Sequence, residues 1–160
     1  MTDALPQFLA ESRRFLMEDY TPKIERCVSQ LTDEQIWTRP NEASNSIGNL
    51  VLHLAGSSRY WASDVIDGVP TGRVRQREFD ERTKVPSAEL LARLQTAMRD
   101  VDRRLAGVRA ETLLETRKAR DEEFTVLWCV YHIVEHYSYH TGQILSMTKG
   151  MIGEIAGGEG

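Results

Sequence analysis

Cysteine is scarce in this chain, and neither sign of charge dominates. The only two cysteines, Cys27 and Cys129, form no C-x-x-C pair, so we expect neither a disulfide framework nor a cysteine-rich zinc site. We interpret both as reduced thiols of the core. The net charge is only -4, with charges of both signs interspersed, so no basic patch is available to neutralise a run of phosphates. We therefore expect no nucleic-acid partner.

Long apolar runs are also missing. No apolar segment approaches the roughly 20 residues that a membrane-spanning helix needs. The opening stretch MTDALPQFLAESRRF lacks the basic start and the apolar run of a signal peptide. From these absences we expect a cytoplasmic protein with no membrane partner.

Signals for β-structure are lacking as well, since no Asn-Gly or Asp-Gly pair separates two β-branched runs. Apolar residues instead recur at helical spacing, which predicts an all-α protein: a four-helix bundle with one long crossover connection. Thr32 and Gln35 predict a capping box at a short helical turn. The four predicted helices run from about Leu5 to Gln30 with a kink or break at Pro22, from about Ser46 to Gly68, from about Ser87 past Leu105, and from about Asp121 to Lys149.

Chain length and composition predict one domain. With 160 residues, 41% of them hydrophobic, the chain can bury one core, which we place in residues 1–150. The glycine-rich residues 151–160 are predicted to form a flexible tail. The connection from Asp67 to Pro86 is highly charged, and we interpret it as a solvated loop rather than as a substrate-binding or subunit-contact segment.

Three of the four histidines, His132, His136 and His140, follow one another at intervals of four residues. Residues four apart in an α-helix share a face and lie about 6 Å apart along the axis, so two such imidazoles can bind one metal ion. The outer two lie about 12 Å apart along the axis, too far to bind the same ion comfortably. Spacing alone leaves open whether His136 pairs with His132 or with His140.

The fourth histidine, His53, lies at the edge of the apolar face of the second predicted helix. The small residues Gly56 and Ser57 follow it and would leave room for an exogenous ligand. A third imidazole from this helix would leave a coordination position open to water or substrate, as in catalytic metal sites. The alternative is a metal-free bundle in which the imidazoles only form hydrogen bonds.

Several other site types are excluded by spacing. The zincin motif H-E-x-x-H has a glutamate after its first histidine, where this chain has Tyr137. Carboxylate-bridged di-metal bundles use Glu-x-x-His, and no histidine here has a glutamate three residues before it. Dinucleotide-binding, Walker-type and serine-hydrolase motifs do not occur.

With these residues the chain resembles the DinB-like family of metal-binding four-helix bundles, which includes thiol S-transferases of the bacillithiol and mycothiol types. The resemblance covers most of the chain and is clearest in LTDEQIWTRP, SIGNLVLHLAGSSRYW, REFDER and VEHYSYHTGQI. It implies that His53, His136 and His140 bind one divalent ion, nickel, zinc or iron. The Gly-Gln that follows the family's second histidine matches Gly142 and Gln143.

Three further residues are candidates to support those ligands. His132 then lies one helical turn before the pair, and we interpret it as a core residue or a hydrogen-bond partner of a ligand. Gln143 would contact a metal-bound water or cap another helix. Tyr60 would donate its hydroxyl to a bound ligand or pack in the core.

The resemblance implies a metal-dependent enzyme, a thiol S-transferase or a hydrolase, whose partner is a low-molecular-weight thiol or another small molecule. The alternative is a non-catalytic, metal-binding or stress-associated structural dimer. Because DinB-like proteins are often homodimers, we expect a homodimer in either case. The sequence identifies neither the substrate nor a catalytic residue.

Overall fold

Four long helical rods build the part of the chain that the computed structural model describes, residues 4–157. The rods are α1 (Ala4–Arg14) continued by a π-helical segment (Phe15–Tyr20) and α2 (Thr21–Ser29); α4 (Ile47–Arg59) continued by a second π-helical segment (Tyr60–Ile66); α6 (Ser87–Gly107); and α7 (Val126–Ile152). The shorter elements are α3 (Asp33–Trp37), α5 (Arg75–Asp80), a 3₁₀ turn (Ala110–Thr112), β1 (Thr116–Ala119) and β2 (Glu122–Thr125). The predicted helical bundle is confirmed.

Pro22 does not break the first rod. It stands in the first turn of α2, directly after the π-helical segment Phe15–Tyr20. A proline lacks the N–H of an α-helical hydrogen bond, and its ring crowds the carbonyl four residues earlier. In the π-helical segment ahead of Pro22, backbone hydrogen bonds span five residues and not four, which changes the α-helical pattern that proline would interrupt. The predicted kink is therefore a π-helical irregularity within a continuous rod.

The core lies between the apolar faces of the four rods, and both cysteines are part of it. Cys27 and Cys129 are free and fully buried, as predicted. Burial raises the pKa of the Cys129 thiol to about 11, so this thiol stays protonated at neutral pH. Within residues 4–157, no helix combines the length and apolarity needed to cross a membrane.

The charged connection, residues 67–86, exposes most of its residues to solvent, as a solvated loop does, but it also includes α5 and packs onto α4. The amide nitrogen of buried Asn49 donates to the backbone carbonyls of Glu78 at 2.9 Å and Glu81 at 3.2 Å. Arg39 in turn donates to the Asn49 amide oxygen at 2.7 Å. These bonds hold the C-terminal half of the connection against the rod that carries His53.

A β-hairpin precedes α7 and was not predicted. Its antiparallel strands are joined by Arg120 and Asp121, a pair without the glycine or asparagine that usually marks such a turn. The predicted start of the last helix at Asp121 is therefore wrong. The helix begins at Val126, and the Thr125 hydroxyl accepts a hydrogen bond from the backbone N–H of Trp128 at 3.1 Å.

The end of the described chain packs against the first rod. Ile155 is buried, and Gln30 exchanges two hydrogen bonds with the backbone of Ala156, at 2.9 and 3.1 Å. Within the predicted tail, residues 151–160, the first two residues extend α7 and the next five include these contacts. Residues 158–160 lie outside the described part of the chain.

Candidate metal centre

Three histidines from two rods meet between α4 and α7. The Nε2 atoms of His53 and His136 lie 3.1 Å apart, and those of His136 and His140 lie 3.2 Å apart. One ring nitrogen from each histidine lies within 4.8 Å of the other two. The four-residue spacing stacks two of the rings on one face of α7, and α4 presents the third from across the interface. The structure thus brings together the three histidines that the resemblance selects.

Hydrogen-bond partners behind two of the rings determine which nitrogen faces the centre. His53 Nδ1 lies 2.9 Å from Glu78 Oε2, and His140 Nδ1 lies 2.7 Å from Gln143 Oε1. Both oxygens are acceptors, so Nδ1 carries the proton in each ring and donates it to the bond. The Nε2 atoms of His53 and His140 therefore present lone pairs to the centre, as metal ligands do.

The spacing of the Nε2 atoms fits a single divalent ion. Two imidazoles bound tetrahedrally at 2.0–2.1 Å would hold their nitrogens about 3.3 Å apart. The observed separations from His136 are 3.1 and 3.2 Å. A proton on His136 Nε2 can satisfy only one of the two lone pairs that face it, whereas one ion satisfies all three nitrogens. Three imidazoles form a donor set that suits zinc, nickel and iron.

Burial keeps the imidazoles of α7 neutral. Desolvation lowers the pKa of His136 to about 3, with further lowering from the nearby rings of His140 and His53. Desolvation also lowers the pKa of His140, although the hydrogen bond that His140 donates to Gln143 acts in the opposite direction. Because a neutral imidazole is the form that binds metal, neither ring has to lose a proton to do so at neutral pH.

A buried ion pair that sequence reasoning missed lies behind His53. Arg73 donates to both carboxylate oxygens of Glu78, at 2.6 and 2.8 Å, and the two side chains are only 10% and 11% exposed. Burial raises the pKa of Glu78, but the hydrogen bonds from Arg73 and His53 outweigh it, and the net pKa is lowered. The carboxylate is therefore charged and keeps the proton of His53 on Nδ1.

Gly56 provides the space for that carboxylate. A Cβ atom at position 56 would overlap Oε1 of Glu78. The small size of Gly56 predicts room for an exogenous ligand, but in the structure Glu78 of the same chain fills that room. The only sequence signal for Glu78 is its place in the stretch REFDER, where charge alone suggested exposure to solvent.

His132 lies beside the centre and not in it. Its ring stacks on Trp128 with centroids 4.7 Å apart, and its centroid is 5.4 Å from that of His136. The group of converging nitrogens contains His140 instead. Of the two pairs that spacing left open, the structure brings His136 and His140 together around the centre.

The other two support candidates contact the site in different ways. Gln143 bonds directly to His140, which matches a role behind a ligand. Tyr60 contacts Arg73, whose guanidinium carbon lies 5.7 Å from the centroid of the tyrosine ring, and packs edge-on against Trp61 at 5.4 Å. Tyr60 therefore packs beside the ion pair. Within residues 4–157 its hydroxyl forms no hydrogen bond with a residue of the centre.

A cavity of about 840 Å³ opens beside the centre. His53 and His136 form part of its wall, together with residues of the β-hairpin and the first turns of α7. This volume lies in the range of small-molecule sites in proteins. The three-histidine group is thus accessible to a ligand from one side.

Crystal structures of two DinB-like proteins share this architecture. A DinB-like protein from Bacillus subtilis is 18% identical in sequence, with a TM-score of 0.68 over 94% of both chains. Another, from Bacillus cereus, is 12% identical, with a TM-score of 0.66 over 88% of this chain and 91% of that one. At these identities the similarity shows the fold alone. The chain has the DinB-like fold that the sequence predicts.

The family itself follows from a match in sequence. Residues 4–155 match the family described as protein of unknown function DUF1572, and the chain belongs to this family. Among curated proteins, none matches the sequence. The function therefore has to be inferred from the site.

Proposed function

We propose that the protein binds one divalent metal ion through the Nε2 atoms of His53, His136 and His140 and uses it in a reaction on a small molecule. The observation that carries this proposal is the convergence of three imidazole nitrogens, two of them oriented by Glu78 and Gln143. Three protein ligands leave at least one coordination position free, as in catalytic sites. Nickel, zinc and iron are the candidate ions.

The reaction class that we propose is thiol S-transfer or, second, hydrolysis. A divalent ion supplies Lewis acidity and lowers the pKa of a water or thiol that binds to it. The chain's own residues orient the site: Glu78 and Gln143 hold the imidazole protons away from the centre. Among residues 4–157, the buried carboxylate beside the ligands is that of Glu78, which is bound to Arg73 and is not free to act as a base. This favours a thiol substrate, which needs less help from a base than water does.

A non-catalytic metal-binding dimer, for example a stress-associated one, is the second candidate. Tyr131 and Tyr139 on α7 are 57% and 60% exposed. Exposed aromatic side chains are enriched in protein interfaces, so we propose this face of α7 as the contact of a homodimer. Access to the three histidines through the cavity favours the enzyme over this structural role.

Elemental analysis of untagged protein purified without chelators tests the metal site. We expect about one divalent ion per chain. The variant His136→Ala removes the nitrogen that lies next to both others and should lose the ion. His132→Ala is the matched control on the same helix and should keep it, because this ring lies outside the nitrogen group. Unchanged metal content in His136→Ala would refute the assignment of ligands.

Turnover assays separate the two candidates. The metal-loaded protein is supplied with cysteine and 1-chloro-2,4-dinitrobenzene for S-transfer, and with p-nitrophenyl acetate for hydrolysis. An enzyme should show turnover that EDTA abolishes and added metal restores. A structural dimer should show no turnover, while EDTA lowers its melting temperature or dissociates it in light scattering.

A further inference from the structure

The cavity beside the three histidines has a continuous aromatic wall. Phe124 and Trp128 stack with ring centroids 4.2 Å apart, and Trp128 stacks on His132 at 4.7 Å. Trp61 packs edge-on against these three rings at 5.0 to 5.5 Å. Although packed on both sides, Trp128 remains 37% exposed. Because Phe124 and His132 cover its two faces, the exposed part of Trp128 is its edge, an apolar surface against which an aromatic ligand can pack edge to face.

Positive charge predominates around the same cavity. Arg73, Arg75 and Arg120 line it, and Glu122 is the one acidic residue among the described lining residues. Arg73 is committed to Glu78 by the buried ion pair. Within residues 4–157, neither Arg75 nor Arg120 forms an ion pair. The guanidinium of Arg75 lies over the Phe79 ring, 4.8 Å from its centroid, which covers one flat face but leaves its N–H donors at the edge. These donors and those of Arg120 can bind an anion, and their planar, forked arrangement suits a carboxylate.

The left-handed backbone conformation of Arg120 indicates independently that its side chain has a function at this position. With a φ of 60°, Arg120 is the one non-glycine residue of the described chain in the left-handed region. It occupies the first position of the two-residue hairpin turn, where glycine or asparagine would be unstrained. An arginine there is unfavourable for the turn, but it places a guanidinium group at the cavity.

We propose that the cavity binds a small aromatic carboxylate, with its ring against Trp128 and its carboxylate on Arg75 and Arg120. This inference rests on the proposed metal site, because the rest of such a ligand would lie towards His53 and His136 on the same wall. A volume of about 840 Å³ accommodates an aromatic acid together with a second small reactant. The substrate class is thus an aromatic acid with a second, reactive group: either a carbon–halogen bond, which the thiolate breaks as it forms a C–S bond and releases halide, or an ester bond, which water cleaves to acid and alcohol.

Calorimetric titration with 2-naphthoate and its neutral analogue 2-naphthamide tests this inference, on both zinc-loaded and metal-free protein. The packing of the aromatic ring is the same for both probes, so the arginines should make naphthoate bind at least about tenfold more tightly in both forms. The double variant Arg75→Gln, Arg120→Gln should lose this preference and keep its zinc content and its affinity for the amide. Arg109→Gln, which removes an exposed arginine outside the cavity, is the matched control and should keep the preference.

Three results would overturn the inference. Equal affinity for the two probes would show that no anion site exists. A preference that survives the double variant would show that other groups hold the anion. A preference seen only with zinc present would show that the carboxylate binds the ion and not the arginines. If the protein binds no metal but retains the arginine-dependent preference, the proposed function fails and the anion site stands.

Discussion

Two acceptor side chains, Glu78 and Gln143, orient the imidazoles that form the proposed metal site. Gln143 follows His140 by three residues on one helix, and such local spacing can be recognised in the sequence. Glu78 follows His53 by 25 residues and lies on a different element. No periodicity links Glu78 to His53, so the carboxylate that orients this imidazole could not be predicted. The residues of the histidine group itself were predictable.

Replacement of Glu78 tests this orienting role. In Glu78→Gln the charge that binds Arg73 is lost, and the amide can turn a donor instead of an acceptor towards His53. We expect zinc affinity to fall about 10- to 100-fold, as measured by competition with a chromophoric chelator. Glu42→Gln, an exposed residue with the same chemical change, should bind zinc like the wild type. Equal affinities in all three proteins would contradict the role of Glu78.

Gly56→Ala provides a second test that leaves the carboxylate itself in place. The added methyl group overlaps Oε1 of Glu78 and should push it away from His53, so zinc affinity should fall by about tenfold or more. Gly107→Ala is the matched control, because a Cβ there meets no atom within 4 Å. Wild-type zinc affinity in Gly56→Ala would show that the contact between Glu78 and His53 tolerates displacement.

At the scale of elements, the long helices were predictable and the connections were not. Apolar spacing indicated each rod, because a buried helix face repeats over many turns. The hairpin before α7 was missed because Arg120 and Asp121 form its turn without the usual residues. The charged side chains of the connection 67–86 predict its exposure to solvent, but they do not reveal the backbone carbonyls that bond to Asn49 and fix it to α4.

Asn49 is the residue on which that attachment depends. Asn49→Ala removes the donor to the carbonyls of Glu78 and Glu81 and the acceptor of Arg39. We expect the metal-free variant to lose about 2 kcal/mol of unfolding free energy in urea denaturation, because buried polar groups are left without partners. Asn45→Ala, whose amide makes no such bonds within the described chain, should lose much less. A loss of similar size in both variants would contradict the anchoring role.

For the molecule as a whole, the desolvation of His136 makes the metal-free fold sensitive to acid. His136 has a pKa of about 3 in the folded protein, compared with about 6.5 in an unfolded chain. Between these values the unfolded chain binds a proton that the folded protein does not. The contribution of neutral His136 to the free energy of unfolding is therefore complete above about pH 6.5 and is lost as the pH falls towards 3.

Urea denaturation of EDTA-treated protein at pH 7 and pH 5 measures this loss. His136 alone should account for about 1 to 2 kcal/mol of the difference in unfolding free energy, allowing for solvent screening. His136→Gln cannot take up this proton in the unfolded state, so its stability should fall less than that of the wild type between the two pH values. The same fall in both proteins would show that His136 is not held neutral by the fold.

The location of a bound ion is the most direct test of the proposed metal centre. Crystals of the zinc-loaded protein, with diffraction data collected on both sides of the zinc absorption edge, would show the ion by its anomalous signal. We predict one site within about 2.0 to 2.2 Å of the Nε2 atoms of His53, His136 and His140, with a further coordination position facing the cavity. An ion bound elsewhere, or one that lacks His53 as a ligand, would contradict a site built from two rods of the bundle.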